Sequence, residues 1–375
     1  MTILIATDSF KDALPAKAVC RAIERGLKRA DSEIKTQIFP LADGGEGTAA
    51  ILTFHNDGQT LSKEVNDPLF RPVEASYGLS ADGRTAFIDM AEASGLQLLE
   101  EDERNPLLTS TYGTGELIAD ALERGARRIL LGIGGSATND CGTGMAAALG
   151  YRFLDENGEE LKPIGKNLIN IRKIVDEEVS FSSADIEVEV ISDVDNPLYG
   201  PDGAAYIYAP QKGADGPAVT TLDKGLRHFS GILDDHFNRS FADIPAAGAA
   251  GGMGAGAMAF LGAELRPGTD AIVEYTDFDK ALQDADLLIT GEGKLDAQTA
   301  HGKLIHGICR RAQKSGVPVI ALCGTLDAAP EQIEEIGLKA AFSIIDRPLP
   351  LKEALKHTER SLDQTAFHLL RVLTH

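Results

Sequence analysis

Short apolar runs that stop at a glycine-rich polar loop recur along this chain, and they constrain its fold more than any other sequence feature. Ile3-Leu4-Ile5-Ala6 gives way to Thr7-Asp8-Ser9, Arg128-Ile129-Leu130-Leu131 to Gly132-Ile133-Gly134-Gly135, and Asp286 to Ile289 to Thr290-Gly291-Glu292-Gly293. An apolar run of four to seven residues bounded by turn signals reads as a buried strand. Alternation of such strands with helical patterns implies a parallel sheet. The chain is therefore expected to be α/β. Glycine is the residue that lets backbone N–H groups approach a ligand beyond the strand ends. Its count, 39 of 375, is well above the usual share of about 7 per cent.

The alternation is strongest at the two ends of the chain. Near the start, a helix is expected over Ala16 to Ala30 and a strand over Thr36 to Pro40. Near the end, strands are expected at 286–290, 317–323 and 341–345, with helices at about 301–315, 330–336 and 351–373. Between them the texture changes. Val65 to Tyr77 and Arg84 to Met90 alternate around the turn Ala81-Asp82-Gly83, which reads as antiparallel pairing. The organisation expected is two domains: a parallel-sheet α/β domain from residues 1–64 plus 281–375, and a mixed α/β domain, 65–280, inserted in it.

Composition removes several classes of function. Acids outnumber bases 57 to 36, for a net charge of -21, whereas phosphate-backbone binding needs a surplus of Lys and Arg. No nucleic-acid partner is expected. Cys20, Cys141, Cys309 and Cys323 form no C-x-x-C pair, so they read as buried thiols in a reducing compartment. Met1 to Phe10 carries Asp8 and no basic segment, unlike a secretory signal. The uncharged stretch Ala246 to Ala263 is too rich in glycine for a membrane span. A cytoplasmic protein without a membrane partner, monomeric or homodimeric, is the expectation.

The loops carry the candidate chemistry. Gly132 to Gly144 mixes glycines with Ser136, Thr138, Asn139 and Asp140, which suits an anion loop; Asp140 is placed to face a metal. Gly132-x-Gly134-x-x-Ala137, followed by Asp155, also fits a loose dinucleotide fingerprint. Thr290 to Asp296 offers Lys294 for phosphate and Asp296 for a proton or a metal. Asp193 and Asp195 in Asp193-Val194-Asp195-Asn196 suit a hard cation. Asp43, in Asp43-Gly44-Gly45-Glu46-Gly47-Thr48, and Asp8-Ser9-Phe10-Lys11 form further acid- and base-bearing loops. Arg71 is the arginine best suited to clamping a small carboxylate.

In their order along the chain these motifs resemble the bacterial glycerate kinases of the type I family. The resemblance rests on Asp8 to Lys11, Pro40 to Thr48, Gly132 to Gly144, Ser192 to Leu198, Pro210-Gln211-Lys212-Gly213-Ala214, Gly248 to Gly254 and Thr290 to Asp296. It departs from the family at Cys141, Thr143 and Ala13. It implies phosphorylation of D-glycerate by ATP with Mg²⁺, the 2-phosphoglycerate product, and two α/β domains, one flavodoxin/Rossmann-like and one likened to restriction enzymes, with a cleft between them.

The chemistry of phosphoryl transfer then distributes roles. Backbone N–H groups of Gly134, Gly135 and Ser136 are expected to cradle phosphates, with Thr138, Asn139, Gly291 and Gly293 as further nucleotide contacts. Lys294 and Lys11 supply positive charge. Asp193 and Asp195 hold Mg²⁺. Arg71, Ser9 and Asp8 bind glycerate. Asp296 or Asp43 takes the hydroxyl proton, and the base and metal roles are exchangeable. The competing readings are a nicotinamide-dependent dehydrogenase of a small hydroxy acid and a non-catalytic binder of small anions.

Overall fold

The computed structural model describes residues 1–42, 44, 45, 47–179, 181–296 and 304–374. In chain order its strands are β1 (Thr2–Ile5), β2 (Lys35–Ile38), β3 (Gln59–Asn66), β4 (Pro72–Leu79), β5 (Thr85–Asp89), β6 (Arg128–Gly132), β7 (Arg152–Leu154), β8 (Lys173–Val175), β9 (Glu187–Ile191), β10 (Glu264–Arg266), β11 (Leu287–Asp296), β12 (Val319–Asp327) and β13 (Ala340–Ser343). The chain divides into two compact units. One comprises Met1–Asp43 with Thr269–His375, the other Gly44–Gly268. The division falls at 43/44 and 268/269, not near the composition shifts at 64/65 and 280/281. The helix Thr48–His55 and β3 thus belong with the central segment, because that helix packs on β4 and β5.

The unit built from both chain ends holds a five-stranded sheet in the order β13-β12-β11-β1-β2, parallel throughout. Its helices cover buried strands, as a parallel sheet requires. Ala16–Ala30 buries Val19, Cys20, Ala22, Ile23 and Leu27 on one face, the i, i+3, i+4 pattern of an amphipathic helix. It lies against the helix Leu351–Leu373. Gly26 makes that approach possible, since a Cβ there would collide with the Asp363 carbonyl.

The other unit holds a mixed six-stranded sheet in the order β10-β9-β6-β5-β4-β3. From β5 to β10 the pairings are parallel, and β3, β4 and β5 pair antiparallel. Residues 65–77 are therefore not one extended run. They turn at Asp67–Arg71, where the Asp67 carboxylate accepts the N–H groups of Leu69 and Arg71, both at 2.8 Å. A second extended segment is longer than expected. Thr290 to Asp296 is not a loop after a strand but the second half of β11, in register with β12 through Asp296↔Asp327. Glycine permits this, because a Cβ at Gly291 or Gly324 would strike the neighbouring strand's backbone.

Among the described residues no helix is long and apolar enough to cross a membrane. Ala249–Leu261 breaks at Ala250, Gly251 and Gly252, all with positive φ. All four cysteines are free and buried. Burial pushes the thiols of Cys309 and Cys323 up to about 12, so they are protonated at neutral pH.

Candidate active site

In open α/β sheets, ligands bind beyond the carboxyl ends of the strands. In the central unit the ends of β5, β6 and β9 carry the polar groups. The segment after β6 falls into two parts with different jobs. Gly134 and Gly135 form an exposed crest, and Gly135 takes φ +72°. Neither glycine's N–H has a hydrogen-bond acceptor among the described residues. The flanking chain is pinned: Leu96 N–H donates to the Gly135 carbonyl and Ala137 N–H to Ser94, both at 2.9 Å. Two N–H groups without acceptors among the described residues, on exposed glycines of a pinned loop, suit an anion.

The second part, Asp140 to Gly144, is structural. Asp140 is wholly buried and accepts from Thr111 N–H (2.8 Å), Thr111 Oγ1 (2.9 Å), Gly144 N–H (3.1 Å) and Gly142 N–H (3.3 Å). It caps the helix Thr143–Ala148 and braces Thr111, at the start of the helix Tyr112–Glu123. Burial raises its pKa, and these donors pull the other way. Asp140 therefore does not face a metal, contrary to the sequence expectation. Thr138 and Asn139 are also completely buried, with side-chain polar atoms that find no partner among the described residues. This places them behind the loop, not on the exposed crest. Gly251, in the broken helix, backs directly onto the Thr138 carbonyl.

Two groups here escaped the sequence reading. Asp89, at the end of β5, accepts Gly47 N–H at 2.9 Å and Ala49 N–H at 3.2 Å. It thereby caps the helix Thr48–His55, so a side-chain carboxylate already fills that helix N-terminus. Gly132 leaves room for it, since a Cβ there would lie 2.8 Å from Asp89 Oδ1. The signal was an acid between two apolar residues, Ile88 and Met90. The second group is Lys212, a buried lysine whose Nζ donates to Ser136 Oγ and to the Thr138 carbonyl, both at 2.7 Å. Only its place in the Pro210 to Ala214 motif hinted at it.

After β9, Asp193 and Asp195 are both exposed. Asp193 Oδ1 accepts Gly268 N–H at 2.7 Å. No cluster of three or more His, Cys, Asp or Glu side chains with metal-binding geometry occurs among the described residues. A two-carboxylate set suits Mg²⁺ that arrives with a nucleotide, because Mg²⁺ keeps waters and takes further ligands from phosphates.

Arg71 already has carboxylate partners. Its Nε donates to Asp67 at 2.6 Å, and its NH1 and NH2 to Glu103 at 2.6 and 3.3 Å. Both edges of the guanidinium are occupied, and Arg71 in turn lowers the Glu103 pKa. Asp155 sits in a turn and accepts Asn157 and Glu159 N–H groups. It is not the ribose-binding acid that a dinucleotide fold places after its second strand.

In the unit built from the chain ends, the loop after β1 lies against the middle of β11. Asp8 N–H donates to the Gly291 carbonyl at 3.1 Å, and Ser9 N–H to Asp8 Oδ1 at 2.6 Å. A Cβ at Gly293 would sit 3.6 Å from the Lys11 backbone nitrogen. Lys294 Nζ lies 2.9 Å from Asp296 Oδ2 and 3.8 Å from Asp327. The hydrogen bond to Asp296 raises the Lys294 pKa, so it remains a cation. Asp8, Ser9 and Lys11, in the loop after β1, thus lie beside the β11 segment that carries Gly291, Gly293, Lys294 and Asp296. Asp43 lies outside the described residues.

The comparisons with known proteins agree on one family. The model of the glycerate kinase family matches residues 3–374. The chain is 46% identical over 365 residues to a glycerate kinase of Halalkalibacterium halodurans, covering 97% of this chain and 96% of that one. It is 42% identical over 356 residues to glycerate 2-kinase of Escherichia coli, covering 95% and 93%. A crystal structure of a putative glycerate kinase 2 from Salmonella typhimurium superposes with a TM-score of 0.90 at 40% identity, covering 100% of this chain and 98% of that one. The chain belongs to the glycerate kinase family.

Proposed function

We propose that this enzyme, of the type I branch, transfers the γ-phosphoryl group of ATP to D-glycerate and forms 2-phosphoglycerate and ADP. The observation that carries the reading is the Gly134-Gly135 crest. Its two exposed glycines, at the carboxyl end of β6, have N–H groups with no acceptor among the described residues, in a chain of this family. The choice of the 2-position follows the printed name of the Escherichia coli relative. The order of motifs from Asp8 to Asp296 supports the type I assignment.

Phosphoryl transfer asks the protein for positioning and charge neutralisation. Gly134, Gly135 and Ser136 receive the phosphates, while Thr138 and Asn139 support the loop from behind. Gly291 and Gly293 keep β11 open beside Asp8, Ser9 and Lys11. Lys294 and Lys11 balance phosphate charge. The glycerate hydroxyl oxygen attacks the γ-phosphorus, the bond to the β-phosphate oxygen breaks, and the hydroxyl proton passes to Asp296 or Asp43. Asp193 and Asp195 would hold Mg²⁺, which when bound screens the phosphate oxygens. Asp8 and Ser9 bind glycerate. Arg71 joins them as the carboxylate clamp only by exchanging Glu103 for substrate. The enzyme is read as a cytoplasmic monomer or homodimer. ADP release that requires both D-glycerate and ATP tests the reading. Release without glycerate, or turnover of NAD(H) instead, would refute it.

A further inference from the structure

Lys212 is the one buried lysine among the described residues, 2% exposed. Hiding an amine from water is costly unless its N–H groups find acceptors. Lys212 finds two, Ser136 Oγ and the Thr138 carbonyl, each at 2.7 Å. No third acceptor is present among the described residues. Two bonds are as many as a neutral amine donates. Burial pushes this amine down to about 7, and the charge of Asp140 opposes that shift. Both hydrogen bonds therefore survive in either protonation state.

The arrangement of ties along the loop is regular. Residues 135 and 137 are bonded on one side, to the backbone of Leu96 and Ser94. Residues 136 and 138 are bonded to Lys212. Successive residues are thus held by different partners, immediately beside the crest. Lys212 itself is set by the turn Pro210–Lys212 and by Gly213 at φ +95°, where a side chain would strike the Arg104 carbonyl. A binding loop is effective when its supporting contacts fix its geometry before the ligand arrives.

We infer that Lys212 is a positioning residue for nucleotide binding: by holding Ser136 and the Thr138 carbonyl, it aims the Gly134 and Gly135 N–H groups at the phosphates. The inference rests on the reading of this loop as the phosphate cradle. It is tested by steady-state kinetics with Lys212→Met, Ser136→Ala and Gly134→Val, each checked for its unfolding midpoint. Lys212→Met is expected to raise the KM for ATP about tenfold, the effect of losing a pair of buried hydrogen bonds, and to leave the glycerate KM within about twofold. Should Lys212→Met fail to fold, Ser136→Ala decides, with a rise in ATP KM supporting the role and an unchanged value overturning it. A folded Lys212→Met with unchanged ATP KM, or with both KM values raised equally, overturns the role of Lys212. If Gly134→Val raises ATP KM in that case, the cradle stands without Lys212. If neither variant moves ATP KM, the cradle reading itself fails.

Discussion

The Asp140 carboxylate accepts both the backbone N–H and the hydroxyl of Thr111, at 2.8 and 2.9 Å, with no water access to either residue. This one contact joins the segment after β6 to the start of the helix Tyr112–Glu123. Thr111 Oγ1 also accepts Met145 N–H at 2.9 Å. Thr111→Val removes the hydroxyl and leaves two buried partners short of a bond. We expect a loss of about 1–3 kcal/mol of stability, read as a lower urea midpoint at unchanged slope. An unchanged midpoint would show that the network carries little weight.

Lys212 makes stability depend on pH in a set direction. Its amine titrates near 7 in the folded chain and at 10.5 when unperturbed. Between those values the unfolded chain holds a proton that the folded chain lacks, so this group's contribution to stability rises with pH across that window. Below pH 7 both states are protonated and the full cost of burying the charge is present. The stability of Lys212→Met relative to wild type is therefore expected to fall as pH climbs from 7 to 10. A constant difference would mean the amine is not perturbed.

Asp193→Asn retains an oxygen for Gly268 N–H and removes the negative charge. Activity should then need a higher Mg²⁺ concentration, with little change in unfolding midpoint. An Mg²⁺ titration that superposes on wild type removes Asp193 from the metal site.

Asp296→Asn keeps a partner for Lys294 but cannot take a proton. If Asp296 is the base, kcat falls about 100-fold or more. A wild-type kcat would leave the role to Asp43.

Arg71→Ala separates substrate clamp from surface ion pair. A clamp predicts a raised KM for glycerate over ATP. An ion pair with Asp67 and Glu103, on a half-exposed arginine, predicts at most a small stability change and unchanged KM values.

β1 and β6 were legible because the apolar runs Ile3–Ala6 and Arg128–Leu131 end at an Asp-Ser pair or at glycine, whereas the three-residue strands β7, β8 and β10 are too short to leave a pattern. The helix Ala16–Ala30 was legible from its apolar spacing. What escaped was tertiary. Thr290 to Asp296 reads as a loop because glycine and charge are poor strand formers, but pairing with β12 overrides that preference. By sequence Asp140 reads as a group facing a metal, and Lys212 as one residue of a polar motif. Their burial depends on Thr111 and Ser136, whose closeness no spacing reveals. The Gly134-Gly135 crest was found by composition alone, since two adjacent glycines after a buried strand already limit what that loop can do.

The central claim is the transfer itself, and ³¹P NMR of the product formed from D-glycerate and ATP tests it most directly. The account predicts a single phosphomonoester, assigned to 2-phosphoglycerate, appearing together with ADP. A 3-phosphoglycerate signal would contradict the assigned position, and inorganic phosphate alone would contradict the transfer.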